Sequence, residues 1–149
     1  MAKTIYRNAT PGDVPEIVEI AVTSVSVDPL PVKIDREAMA DTVRDCLGPA
    51  HFVWVAEQDG KVVAAVVACV QPSFWFTKLQ CSVLLYYTLV PGAGLPLLRQ
   101  LARWVKSRPA IKLAIIELEP NADPRLIHFL KRVGFARESQ NVCYVRSKP

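Results

Sequence analysis

The sequence predicts an α/β fold: a mixed, mostly antiparallel central sheet with helices on both faces, in the order β-α-α-β-β-β-α-β-α-β. Two observations carry this. The β runs HFVWVAE (51–57) and VVAAVVACV (62–70) are joined by QDGK, and Asp-Gly between such runs signals an antiparallel hairpin. The strand–helix–strand succession around Leu97–Lys106 instead requires a parallel crossover. A mixed sheet satisfies both, and 149 residues suit one domain, 1–149.

IYRNA reads as the first strand. In TPGDVPEIVEIAVTSV, Thr10 is a helix N-cap, Pro11 the first helical residue and Asp13 a first-turn acid, while Ile17, Val18, Ile20, Ala21 and Val25 form the inward stripe. DPLPV is a loop. DREAMADTVRDCLG is a second helix, capped by Asp35 and stopped at Gly48. The aromatic PSFWF is a loop or bulge, and SVLLYYTLV (82–90) is a strand. Leu97, Leu98, Leu101, Ala102 and Val105 then share a helix face, with Arg99, Arg103 and Lys106 away from it. IKLAIIELE (111–119) is a buried strand, DPRLIHFLKRVG (123–134) a helix between Asp123 and Gly134, and FARESQNVCYVRS a closing strand or small hairpin.

Composition narrows the function classes. With 51% apolar and 21% charged residues, the chain is built to fold. No apolar run is long enough to span a bilayer, and the N-terminal residues lack a signal-type h-region, so a cytoplasmic protein without a membrane role is expected. Cys46, Cys69, Cys81 and Cys143 are scattered without metal-ligand spacing, so free thiols and no metal are expected. The net charge of +4 is spread along the chain, and no motif for nucleic acid accompanies it.

The junction LVPGAGLPLLRQL (89–101) raises the functional question. A strand that breaks at Gly92 and Gly94 and opens into a helix offers unpaired N–H groups to an anion. No Lys or Arg stands between Leu85 and Leu98, so main-chain amides must do the holding: those of Gly92, Ala93, Gly94, Leu95, Leu97 and Leu98. Pro96 removes one donor.

The element order and its words resemble the GCN5-related N-acetyltransferase (GNAT) family over nearly the whole chain. IYRNATPGDVPEIVEIA is similar to the family's opening strand and helix, FVWVAEQDGKVVAAVVACV to its central hairpin, PNADPRLIHFLKRVGF to its last helix, and the 89–101 junction to its acetyl-CoA pyrophosphate loop. PSFWF and LLYYT look closest to small, often phage-encoded members. The resemblance implies acetyl-CoA as cosubstrate, bound by Leu89, Val90, Gly92, Ala93, Gly94, Leu95, Leu97 and Asp123, with Leu89 or Val90 turning an amide to the thioester carbonyl. It implies transfer of acetyl to a primary amine of a small molecule or peptide.

The sequence also departs from the family. Leu89 stands at the polar or basic position of the loop, the connection is short, and Leu130 replaces the usual general-acid Tyr. A GNAT-fold binding or structural protein without turnover is therefore the alternative. Catalytic candidates are Glu119, which together with Glu117 is expected on one face of its strand near the carboxyl end, and Tyr86, one of two adjacent tyrosines that alternate faces. Hydrated carboxylates at an emerging strand remain the plainer account of the two glutamates. Tyr144, His51 and His128 are further polar candidates, each also explicable as an edge, loop or surface residue. Phe74, Trp75 and Phe76 cannot all point inward, and a homodimer contact is expected there, with an acceptor-site wall as the second option.

Overall fold

The computed structural model describes residues 3–146. The elements are β1 (Thr4–Asn8), a 3-10 turn (Pro11–Asp13), α1 (Val14–Val27), α2 (Arg36–Asp45), β2 (Phe52–Gln58), β3 (Lys61–Pro72), β4 (Leu79–Thr88), α3 (Leu95–Lys106), β5 (Ile111–Ile116) and α4 (Pro124–Val133). The strands form one sheet in the order β1-β2-β3-β4-β5, antiparallel except for the parallel pair β4–β5. Both connection types read from the sequence are present. Asp59 (φ 51°) and Gly60 (φ 77°) make the tight β2–β3 turn, since two successive left-handed residues match the twist of the flanking strands.

β3 is apolar along its length because both its faces are covered. On one side Ala65 and Val67 meet Ile17 and Ile20 of α1 and Val43 of α2. On the other, Val66 and Ala68 meet Leu98 and Leu101 of α3 and Phe129 and Leu130 of α4. Each helix thus buries one stripe against one sheet face. Asp35 caps α2 by accepting from the Ala38 amide at 3.0 Å, and Asp123 caps α4 through the Arg125 amide at 2.9 Å. Among the described residues, no helix is long and apolar enough to cross a membrane.

Two register shifts shape the sheet. Ala56 faces Ala64 while Glu57 faces Val62, so Val63 is an extra residue on β3. The Val62 amide beside this bulge is taken by the Glu16 carboxylate of α1 at 2.8 Å. On β4, Leu85 faces Val67 while Val83 faces Ala68, which leaves Leu84 as the extra residue.

The closing strand expected over FARESQNVCYVRS is absent: residues 136–146 carry no strand, and the last residue of that stretch lies outside the described residues. Val142 and Tyr144 are fully or largely exposed, so the alternation of the segment has no sheet face to bury against. The strand expected over 111–119 stops at Ile116, which leaves Glu117 and Glu119 beyond it.

Arg7 ties the first strand to the first helix and to β2. Its guanidinium grips Asp13 at 2.7 and 3.0 Å and reaches Glu57 at 2.8 Å. Asp13 also accepts from the Thr10 amide at 2.7 Å and is buried. The Arg7 bond, with the Thr10 amide in support, holds the Asp13 carboxyl below the usual carboxylate range against its own desolvation. Asp13→Asn should therefore lower stability by about 2 kcal/mol, as expected for a part-buried, hydrogen-bonded ion pair. A folded pKa below the unfolded value near 3.9 means the contribution is complete above that pH and fades as acid takes it through the folded value. Urea denaturation at neutral and acid pH should show the two proteins converging only in that acid window.

Candidate active site

The site is built by a disagreement in length between neighbouring strands. β4 and β5 pair only from Leu79↔Ile111 to Val83↔Ile116, yet β4 runs on to Thr88. Past Val83 the β4 edge has no β5 partner, and the sheet opens. The Leu89 amide bonds to the Val63 carbonyl at 2.7 Å, which fixes the parity of the last part of β4. Residues 85, 87 and 89 turn their main chain toward β3, so Tyr86 and Thr88 turn theirs toward the opening. The amide expected from Leu89 is therefore spent inside the sheet. The Val90 amide is engaged by Thr88 Oγ1 at 3.3 Å, while that hydroxyl donates to the Val90 carbonyl at 2.5 Å.

At the end of β4 the chain turns through Gly92 (φ 80°) into α3, whose N-cap is Gly94. Three of the six expected donors are occupied: Ala93 N–H bonds to the Val90 carbonyl, and Leu97 and Leu98 N–H to the Gly94 carbonyl. The amides of Gly92, Gly94 and Leu95 have no backbone partner among the described residues. They stand at the positive end of a helix twelve residues long. Three amides without a backbone partner, close together along the chain, suit an anion in charge and in hydrogen-bond type. The nearest cation along the chain is Arg99 of α3, whose guanidinium lies 5.4 Å from the Phe129 ring centroid.

Tyr86 lies beneath this turn. A Cβ on Gly94 would fall 2.5 Å from the Tyr86 hydroxyl, so only glycine admits the ring at this distance. Burial, with Tyr6 adding a smaller effect, pushes the Tyr86 phenol up to about 12, so it remains a hydrogen-bond donor at neutral pH. Its oxygen is not among sealed, unsatisfied polar atoms, which among the described residues are absent. Tyr87 faces the other way and packs against the α1–α2 core, so the two tyrosines divide between the faces.

The remaining candidates lie off the glycine turn. Glu117 and Glu119 are exposed where the chain leaves β5. They share no strand face, because pairing ends once β4 and β5 separate. Asp123 is committed to α4: its carboxylate accepts from the Arg125 amide and pairs with the Arg125 side chain at 2.9 Å. Those bonds hold its pKa below the ordinary range. No hydrogen bond joins it to the glycine turn. Leu130 is buried among Phe52, Leu98 and Leu101, an apolar setting without a donor. His51 accepts from the Val70 amide through Nδ1 at 2.9 Å and so secures the end of the β2–β3 ladder, while His128 is exposed. Burial pushes the thiols of Cys46 and Cys81 up to about 11, against any nucleophilic role. Among the described residues no group of His, Cys, Asp and Glu gathers as a metal site.

A cavity of about 330 Å³ lies at the opposite end of the sheet, between Leu47–Pro49, His51 and Trp104. It is remote from the glycine turn and from the opened strand pair. The main chain of Tyr86 and Thr88 is the part of the site that sequence reasoning missed. An unbroken apolar run such as SVLLYYT gives no sign of which residues face an opening, because the bulge at Leu84 resets the alternation.

No family model and no curated protein matches the sequence. Solved structures do match in fold. A predicted acetyltransferase from Clostridium acetobutylicum, solved with acetyl-CoA, is similar over 97% of this chain and 96% of its own at TM-score 0.73 and 18% identity. An aminoglycoside acetyltransferase from an uncultured soil metagenomic sample, in complex with sisomicin, matches over 99% and 97% at TM-score 0.64 and 14% identity. A Trypanosoma brucei acetyltransferase matches over 95% and 99% at TM-score 0.69 and 15% identity. The fold is therefore the GNAT-like fold of acetyltransferases, carried by a divergent sequence.

Replacing Gly94 by Ala tests the close approach. The backbone at φ −85° tolerates alanine, so strain arises from the Tyr86 ring alone. We expect a loss of about 1–3 kcal/mol, as for overpacking a buried contact. Tyr86→Phe in the same chain should return part of it, because the ring carbons at 3.0 Å remain. Chemical denaturation of the two single variants and the double variant gives the coupling.

Proposed function

We propose that the protein is an acyltransferase that takes acetyl-CoA along the opening between β4 and β5 and passes acetyl to a primary amine of a small molecule or peptide by direct attack. The observation that carries this is the separation of β4 from β5 past Val83 and Ile116, ending at the free amides of Gly92, Gly94 and Leu95. The acetyl-CoA complex of one fold relative supports the cosubstrate, and the sisomicin complex of another supports an amine acceptor.

When bound, acetyl-CoA supplies an activated acyl carbon. The chain supplies the surroundings. The three amides hold the diphosphate without a side-chain charge, with the Gly92 turn fixing their direction. The main-chain N–H of Tyr86 or Thr88 faces the opening and donates to the thioester oxygen as negative charge develops there. An N–C bond forms as the C–S bond breaks; the nitrogen loses a proton and the sulfur leaves as thiolate or thiol. Tyr86 sets its hydroxyl beneath Gly94, at the diphosphate end, and so supports the turn, while the departing sulfur takes its proton from solvent or from the amine. Glu119, with Glu117, draws a cationic amine to the mouth of the opening and accepts its proton.

A second reading, binding without turnover, is favoured by Leu130 and by the exposure of Glu119. The two separate experimentally. Acetyl-CoA at about one hundred times its dissociation constant should add roughly 2.7 kcal/mol to stability in thermal melts. Gly94→Glu should remove that shift, since it places bulk and negative charge where the diphosphate would lie. With binding established, thiol release over a panel of primary amines decides turnover, and Glu119→Gln should slow it. Binding with no thiol release for any amine selects the second reading; no shift refutes both.

A further inference from the structure

The β3–β4 connection leaves the sheet as a built projection. Ser73 N–H bonds to the Lys78 carbonyl at 2.9 Å and closes the loop, and Ser73 Oγ accepts from the Trp75 amide at 3.1 Å. Ser73 itself is buried, so the base of the loop is anchored. At the tip Phe74 is 88% and Trp75 75% exposed, and Phe76 is 47% exposed. Phe74 and Trp75 meet edge to face at 4.9 Å, which keeps the tip compact. None of the three contributes to the core.

The charged residues of the strand and helix segments that adjoin this tip along β4, β5 and the end of α3 have one sign. Every Asp and Glu of the chain lies before Gly60 or after Ile116. The charged residues of the intervening stretch are all basic, and the topology brings four of them to the tip. Lys78 borders the loop, and Leu79 beside it bonds to the Ala110 carbonyl at 2.9 Å and pairs with Ile111. This sets Arg108 and Lys112 alongside, with Lys106 at the end of α3. Lys78, Lys106 and Lys112 are exposed, and Arg108 lies half-buried over the Trp104 ring at 4.6 Å. Asp45, at the end of α2, belongs to the helix pair on the other sheet face.

Against the expectation of no membrane role, we infer that this end of the molecule docks on an anionic membrane surface, with Phe74, Trp75 and Phe76 entering the headgroup boundary and the basic residues meeting anionic lipid. Aromatic side chains at a projecting tip with cations behind them match the layering of a bilayer interface, apolar ahead of charged. Two copies meeting tip to tip would instead press like charges together, which argues against the expected dimer contact. Nucleic acid would satisfy the charges, but rings that meet edge to face do not offer parallel faces at the spacing of stacked bases. This inference is independent of the acyl-transfer reading, because the tip lies at the start of β4 and the glycine turn beyond its end.

The test is cosedimentation of the intact protein with vesicles of phosphatidylcholine alone, or of phosphatidylcholine mixed with phosphatidylserine. Binding to the mixed vesicles, weak binding to the neutral ones and release by salt are expected. Phe74→Ser with Trp75→Ser should lower partitioning by at least about tenfold with an unchanged melting temperature, since the rings are exposed. Lys78→Glu should lower it roughly tenfold through charge alone. The proposal is overturned if anionic vesicles fail to bind, if both variants bind as the parent does, or if neutral vesicles bind equally. It is also overturned if the parent sediments as a dimer that the Phe74/Trp75 variant disperses, or if single-stranded nucleic acid displaces it from vesicles and binds more tightly.

Discussion

Five paired positions join β5 to β4, and the rest of β4 goes on without it. The features of the site follow from that mismatch. Main-chain groups that would be paired in a complete sheet are left directed at a gap, which is costly unless water or a ligand meets them. The bulge at Leu84 lets β4 stay on β3 while it leaves β5. The Leu89–Val63 bond then sets which amides face the gap, and the turn at Gly92 and Gly94 places three more at its end.

The supports of this arrangement come from outside the gap. Glu16 takes the Val62 amide that the β3 bulge leaves over, so α1 stabilises the strand segment whose Val63 carbonyl receives Leu89. Tyr86 fills the space below the glycine turn with a ring that Gly94 alone can accommodate. Packing and main-chain bonds thus position the turn proposed to hold the anion, where a basic side chain would be the usual means. Such a site gains in rigidity what it gives up in charge.

Much of the fold was legible in the sequence because its signals are local. Asp59–Gly60 specified the hairpin, Asp35 and Asp123 their caps, and the leucines of α3 its buried stripe. The site was legible only as far as the glycine turn. Which amides are free depends on register, and register depends on two bulges that leave no mark in an apolar run. Alternation alone puts Glu117 and Glu119 on one strand face, but the pairing that enforces alternation ends at Ile116. The closing segment has a strand's composition, but propensity without a partner surface makes no sheet. The family resemblance gives Asp123 to the cofactor, while its own helix and Arg125 use both of its oxygens.

The confinement of acidic residues to the two ends of the sequence has a consequence that net charge conceals. A molecule of formal charge +4 that sets Lys78, Lys106, Arg108 and Lys112 close together at one pole of its sheet carries a local positive patch as well as a net charge. It should turn as it nears a charged matrix and bind a sulfonate resin pole-first, eluting later than a protein of equal charge spread evenly.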